Sequence, residues 1–133
     1  IIYTLLYREG IKPFYTQAKV TYVPNIVYDA ILYNQSQPVS LSLKTSLRER
    51  YKQADLEAVA LKYVHRRSKC YLLTISPEEA ASANEKIKKG DIIGLDAVID
   101  CTTSQIDDLI ADLKNVTFEE AESKPAVTGN IIK

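Results

Sequence analysis

Between residues 38 and 64 the hydrophobic period changes from two to about 3.6, and this switch limits the folds open to the chain. Val39, Leu41 and Leu43 alternate with Ser40, Ser42 and Lys44, which predicts a strand with one apolar and one polar face. From Ser46 onward, Leu47, Tyr51, Ala54, Ala58 and Leu61 form one helical stripe. Arg48, Lys52, Asp55, Lys62 and Arg66 fall on a second, charged face. Ser46 and Glu49 have the spacing of a capping box, so the helix is expected to begin there.

The flanking segments extend this pattern. Ile1 to Glu9 reads as a helix already under way, so residues are expected to precede it, and Gly10 ends it. Pro13 to Val23 reads as a strand, Pro24 and Asn25 as a turn, and Ile26 to Tyr33 as a second strand. Asn34 to Gln37 is a polar turn. Lys69 to Ile75 has the length and apolarity of a central strand. Ser76-Pro77-Glu78-Glu79 opens a helix with a cap, a proline at its first position and acids in its first turn; Lys88-Lys89-Gly90 closes it. Leu95 to Cys101 predicts another strand, and Thr103 or Ser104 caps a helix ending near Asn115. The tail from Glu119 is expected to be peripheral. This order predicts an α/β (α+β) fold, a mixed central sheet with helices on both faces. The 133 residues are read as one domain, with a core over about 1–76 and accessory helices and a strand over 77–133.

No apolar run approaches the roughly 20 residues that span a bilayer, and no signal-peptide pattern opens the chain, so no membrane partner is expected. Cys70 and Cys101 each lie in an apolar run and read as small buried hydrophobes in a reducing cytoplasm. The lone His65, beside Arg66 and Arg67, reads as a helix-end cation. The nine tyrosines read first as core and interface residues, with Tyr15 and Tyr22 as candidates for stacking on bases. Net charge is zero, but Lys44 to Lys69 holds eight basic residues against three acids, a local excess of +5. Such a segment suits a phosphate backbone, and it equally suits a solvated helix face.

Asp29 is the one charge within Ile26 to Tyr33, and a carboxylate there is costly unless a cation or donor meets it. If Asn34 to Gln37 is a four-residue hairpin loop, Tyr33 pairs with Pro38 and Asp29 lies opposite Ser42. Asp29, Ser42 and Lys44 then converge at one end of a hairpin. Three readings are open: an Asp–Lys salt bridge, a metal site, or phosphate binding without cleavage. For the metal reading, Asp29 and a backbone carbonyl offer hard oxygen ligands suited to Mg²⁺. Lys44 would orient a water or stabilise charge on a phosphate. The absence of a Gly-rich Walker loop argues against an NTPase.

An acid on one hairpin strand, an x-x-Lys ending on the next and then a helix resemble the PD-(D/E)xK nuclease superfamily. The relevant residues are Tyr28 to Leu32, Ser42-Leu43-Lys44 and Thr45 to Gln53. The last stretch is similar to one in site-specific DNA endonucleases of that superfamily. The resemblance covers about residues 1–76 and implies a restriction-endonuclease-like αβββαβ core. It departs from the pattern at two places: Pro24 is not adjacent to Asp29, and Ser42 stands where an acid is usual. The missing ligand is expected from Glu9 on the first helix, or from Glu49 or Glu57 on the helix after Lys44. Gln53 is implied as a further site residue.

The resemblance implies a Mg²⁺-dependent, site-specific endodeoxyribonuclease of the homing or restriction type. Asp29, Glu9 and the Leu43 carbonyl would bind metal, and Lys44 would act at the phosphate. Arg48, Arg50 and Lys52 would contact phosphates of double-stranded DNA. Cutting both strands implies a homodimer or homotetramer, cytoplasmic and nucleoid-associated when on DNA. The alternatives are a catalytically inactive nuclease-like DNA-binding or assembly subunit, and a Holliday-junction resolvase.

Overall fold

The alternating segment forms a strand and the periodic segment a helix, in the order expected. The computed structural model describes residues 2–20, 23–34, 36–44, 50–119 and 127–133. Helix α1 (Ile2–Arg8) precedes β1 (Phe14–Val20), β2 (Val23–Leu32) and β3 (Val39–Leu43). Then come α2 (Arg50–Val64), β4 (Lys69–Thr74), α3 (Pro77–Lys89), β5 (Ala97–Asp100), α4 (Gln105–Lys114) and β6 (Val127–Ile132). The strands form one mixed sheet in the order β5-β4-β3-β2-β1-β6. β3, β4 and β5 run parallel, and β2, β1 and β6 join by antiparallel pairing. The α/β fold with a mixed central sheet is therefore as expected.

Two hydrophobic layers cover the sheet. On one face Ala54, Ala58 and Leu61 of α2 and Ala80 and Ala83 of α3 pack with Ile31, Cys70, Leu72 and Val98. On the other, Leu6 of α1 and Leu109, Ile110 and Leu113 of α4 pack with Ala30, Leu32, Val39 and Leu41. The predicted stripe of α2 thus faces the core at Ala54, Ala58 and Leu61; Leu47 and the capping pair Ser46 and Glu49 lie outside the described residues.

The hairpin register agrees with the sequence argument. Ala30 pairs with Leu41, Ile31 with Ser40 and Leu32 with Val39. Asn34 shapes the loop by accepting the N–H groups of Ser36 at 2.9 Å and Gln37 at 3.1 Å. The Ser76 hydroxyl caps α3 by accepting the Glu79 N–H at 3.4 Å, and Gly90 closes it at φ 82°.

Three expectations need correction. The reversal after β1 does not use Pro24 and Asn25, which lie within β2, since Val20 already pairs with Val23. A proline near a strand's start is tolerated where its missing N–H serves no ladder bond. Second, the end of the tail is not peripheral, while residues 120–126 lie outside the described residues. Residues 127–132 form β6 beside β1, where Val127 pairs with Val20 and Ile132 with Phe14. Third, Tyr15 is buried in the core and offers no ring for stacking on bases, while Tyr22 lies outside the described residues.

Strict alternation also breaks in two adjacent strands. Tyr15 and Ala18 of β1 enter the same core layer, and so do Tyr28 and Ile31 of β2. Gln17 absorbs the irregularity at φ 48°, and the β1–β6 register shifts there. Gly129 sits against this bulge at φ 152°, where an added Cβ would lie 2.8 Å from the Thr16 carbonyl oxygen.

The charged face of α2 is partly an anchoring surface. Asp55 accepts the N–H groups of Gly94 at 2.6 Å, Leu95 at 3.1 Å and Ile93 at 3.4 Å. Lys62 pairs with Asp96 at 2.9 Å, and the same Asp96 oxygen accepts the Cys70 N–H at 2.7 Å. At the sheet edge, the Asn84 side chain donates to the Val98 carbonyl at 2.8 Å and accepts the Val98 N–H at 3.0 Å.

Candidate active site

Asp29 stands where the β2–β3 ladder ends. One more step of the register sets it beside Ser42, but its side chain reaches further. Asp29 Oδ2 accepts the Leu43 N–H at 2.8 Å, so a carboxylate takes over where backbone pairing stops. Among the described residues no donor reaches Asp29 Oδ1. The next residue, Lys44, donates its backbone N–H to the Leu73 carbonyl at 3.0 Å, which ties the end of β3 to β4. Val39 and Leu41 belong to the layer under α1 and α4. Alternation therefore sets Ser40 and Ser42 toward α2, while Lys44, one residue past the strand, lines a cavity with Ile2 and Leu5 of α1 and Ile106 of α4.

Helix α2 carries Glu57. Burial is the main cause that raises the Glu57 pKa above the usual carboxylate value. Lys44 opposes this, Asp29 adds to it by repulsion, and a hydrogen bond from Gln53 opposes it. Asp29 of β2 and Lys44, just past β3, thus both act on the charge of Glu57 in α2. Gln53, one turn before Glu57, approaches its Oε2 at a long 3.5 Å.

Two tyrosines brace the acids through their backbones. The Tyr28 hydroxyl donates to the Glu57 carbonyl at 2.8 Å. The Tyr3 hydroxyl donates to the Asp29 carbonyl at 2.7 Å. Burial raises the pKa of both phenols, most at Tyr28, so both remain donors across the physiological range. Sequence reasoning missed both roles. The only signal was the adjacency of Tyr28 to Asp29.

The other predicted residues are placed as follows. Ser42 is buried, one register step beyond the last β2–β3 pair. Glu9 follows α1 and ion-pairs with Lys114 at 3.0 Å, so its carboxylate is engaged at the end of α4. Of the acids considered on α2, Glu57 feels the charge of Asp29 and Glu49 lies outside the described residues. Lys52 is exposed on α2. Arg48 and the side chain of Arg50 are outside the described residues.

His65 differs from its expected role as a helix-end cation. Its Nε2 is buried without a partner among the described residues, and burial lowers its pKa, which favours the neutral ring. Burial raises the thiols as well, Cys70 to about 11 and Cys101 in the same direction, so neither is a ready nucleophile.

Among the described residues no three His, Cys, Asp or Glu side chains come together as a metal-binding group. The candidate donors are then the carboxylates of Asp29 and Glu57. That set fits a small hard cation, because Mg²⁺ commonly takes one or two protein carboxylates and keeps water or substrate phosphate in its remaining positions. The open Asp29 oxygen and the Glu57 carboxylate would supply the negative charge such an ion requires, and a bound cation would relieve the repulsion between them. Neither carboxylate lines the cavities of about 510 and 350 Å³; Lys44 lies on the wall of the second, which is otherwise mostly apolar.

No protein-family model matches this chain, and no curated protein or solved structure matches it either. No helix among the described residues is long and apolar enough to cross a membrane.

Proposed function

We propose that the chain is a divalent-metal-dependent endodeoxyribonuclease, acting on double-stranded DNA as a homodimer or homotetramer of the homing or restriction type. The observation that carries this reading is the Asp29 carboxylate held by the Leu43 N–H at the end of the β2–β3 ladder, with Lys44 and Glu57 near enough for their charges to interact. An Asp–Lys bridge alone uses one acid, whereas Glu57, drawn by Lys44 more than it is repelled by Asp29, brings a second carboxylate to the same amine. A site for a cation and a phosphodiester uses both acids and the amine. The order α1-β1-β2-β3-α2-β4 supports the same reading.

Asp29 and Glu57 would hold the metal, with the Leu43 carbonyl as a further oxygen donor and Glu57 in the place assigned to Glu9. When bound, the ion supplies Lewis acidity at a phosphoryl oxygen and lowers the pKa of a water. The Leu43 N–H fixes Asp29 in orientation. The Lys44 ammonium stabilises charge on the phosphate oxygens as the water attacks. Gln53 steadies Glu57 from the preceding turn. Lys52, with Arg48 and Arg50, is assigned to phosphates flanking the cut.

The test is plasmid cleavage in Mg²⁺. Cleavage that disappears in Asp29→Asn, Glu57→Gln and Lys44→Ala, with DNA binding retained, supports the enzyme. DNA binding without cleavage in Mg²⁺ or Mn²⁺ replaces it with an inactive DNA-binding or assembly subunit, a reading favoured by the Ser42 that stands in place of an acid.

A further inference from the structure

We infer that Tyr28 is a positioning residue that sets the separation of the Asp29 and Glu57 carboxylates. The inference rests on the metal-site reading above. Tyr28 is covalently next to Asp29, and its hydroxyl holds the backbone of Glu57 at 2.8 Å. One side chain therefore spans the gap between the strand carrying one acid and the helix carrying the other.

Three observations make this more than core packing. First, the broken alternation of β2 lets Tyr28 point into the α2 layer together with Ile31, while Asp29 between them engages Leu43. A regular strand would send Tyr28 and Asp29 to opposite faces. Second, the contact is made at Glu57 itself and not elsewhere on the fifteen-residue helix. A helix-interior carbonyl already has an intrahelical donor, so the hydroxyl uses its second lone pair. The bond is thus dispensable for the helix and specific for the acid's position. Third, Tyr3 makes the matching contact from the opposite side of the sheet, to the Asp29 carbonyl at 2.7 Å. The backbones of both acids are held, each by a phenol from another element. Groups of this kind outside the ligand set orient the ligands and tune metal affinity.

Tyr28→Phe keeps the ring and removes only the hydroxyl. We expect Mn²⁺ affinity, measured by calorimetry on the full chain without DNA, to fall by roughly tenfold. Cleavage should return toward the wild-type rate at saturating Mn²⁺, because the ligands themselves remain. A crystal structure of the variant should show the two carboxylates moved apart by about 0.5 Å or more. Wild-type Mn²⁺ affinity in Tyr28→Phe, with only a lower melting temperature, overturns the inference and leaves the hydroxyl a packing bond. If the wild-type protein binds no Mn²⁺ or Mg²⁺, the metal-site reading fails, and the carboxylate separation alone decides whether Tyr28 sets it. An unchanged separation then overturns the inference too.

Discussion

Asp29 Oδ2 accepts the backbone N–H of Leu43 at 2.8 Å, so a side chain completes the hydrogen bonding that the β2–β3 ladder leaves unfinished. The same carboxylate is proposed to carry chemistry, and the two duties separate by substitution. Asp29→Asn keeps an oxygen acceptor for Leu43 and should unfold in urea close to the wild-type midpoint. Asp29→Ala leaves a partly buried N–H unsatisfied and should lose about 1–3 kcal/mol. Both should lose cleavage. Equal stability of the two variants would show that the Leu43 contact carries no weight.

Glu57 imposes a cost on the metal-free fold. Its pKa is raised, chiefly by burial, so its contribution to stability is full below the ordinary carboxylate range and is lost as pH rises through the raised value. Glu57→Gln should therefore melt about 1–4 °C above wild type at pH 7 without divalent ions, and no higher at pH 4. Added Mg²⁺ should raise the wild-type melting temperature in a concentration-dependent way and leave Glu57→Gln unmoved. A variant less stable than wild type at pH 7 in chelator would contradict the sign.

His65 should act in the opposite direction. Burial lowers its pKa, so the stability it contributes is present above the ordinary histidine value and is lost as pH falls through the lowered one. His65→Leu should flatten the decline in stability between about pH 7 and 5 relative to wild type. Parallel pH profiles for the two proteins, read by chemical denaturation, would rule this out.

Gly94 is required by close approach. An added Cβ would lie 2.7 Å from both the Asp55 carbonyl oxygen and the Val59 amide nitrogen of α2. Backbone cannot yield there as a flexible side chain could. Gly94→Ala should destabilise by about 1–3 kcal/mol and loosen the three N–H contacts to Asp55. Hydrogen exchange at Ile93, Gly94 and Leu95 would report it, and unchanged protection would count against the argument.

The hairpin register was legible in the sequence because side chains on a strand repeat every two residues and Asn34 marks the loop. The cap and stop of α3 were legible for the same local reason, since Ser76, Pro77 and Gly90 act on their own neighbours. What stayed hidden depends on contacts distant in the chain. β6 is a short segment divided by Gly129, and its pairing with β1 makes sense only beside the bulge at Gln17. The charges of Asp55 and Lys62 look like those of a solvated helix face until the 93–96 loop folds onto them. Within the candidate site, Asp29 and Lys44 were found from cost and spacing. Glu57 was one of several acids, and no periodicity selects it from Glu9 or Glu49. Only packing of α2 on the sheet does so.

Asn84 has a consequence for the border of the sheet. Its amide matches Val98 with one donor and one acceptor, much as a neighbouring strand would. Replacing that amide by a carboxylate would exchange the donor for a second acceptor facing the Val98 carbonyl, costing the border of the sheet one of its two bonds to the Asn84 side chain while the pairing with β4 remains. The outer strand thus rests on β4 along one side and, at Val98, on a side-chain amide along the other, and that amide's donor is the half a carboxylate could not replace.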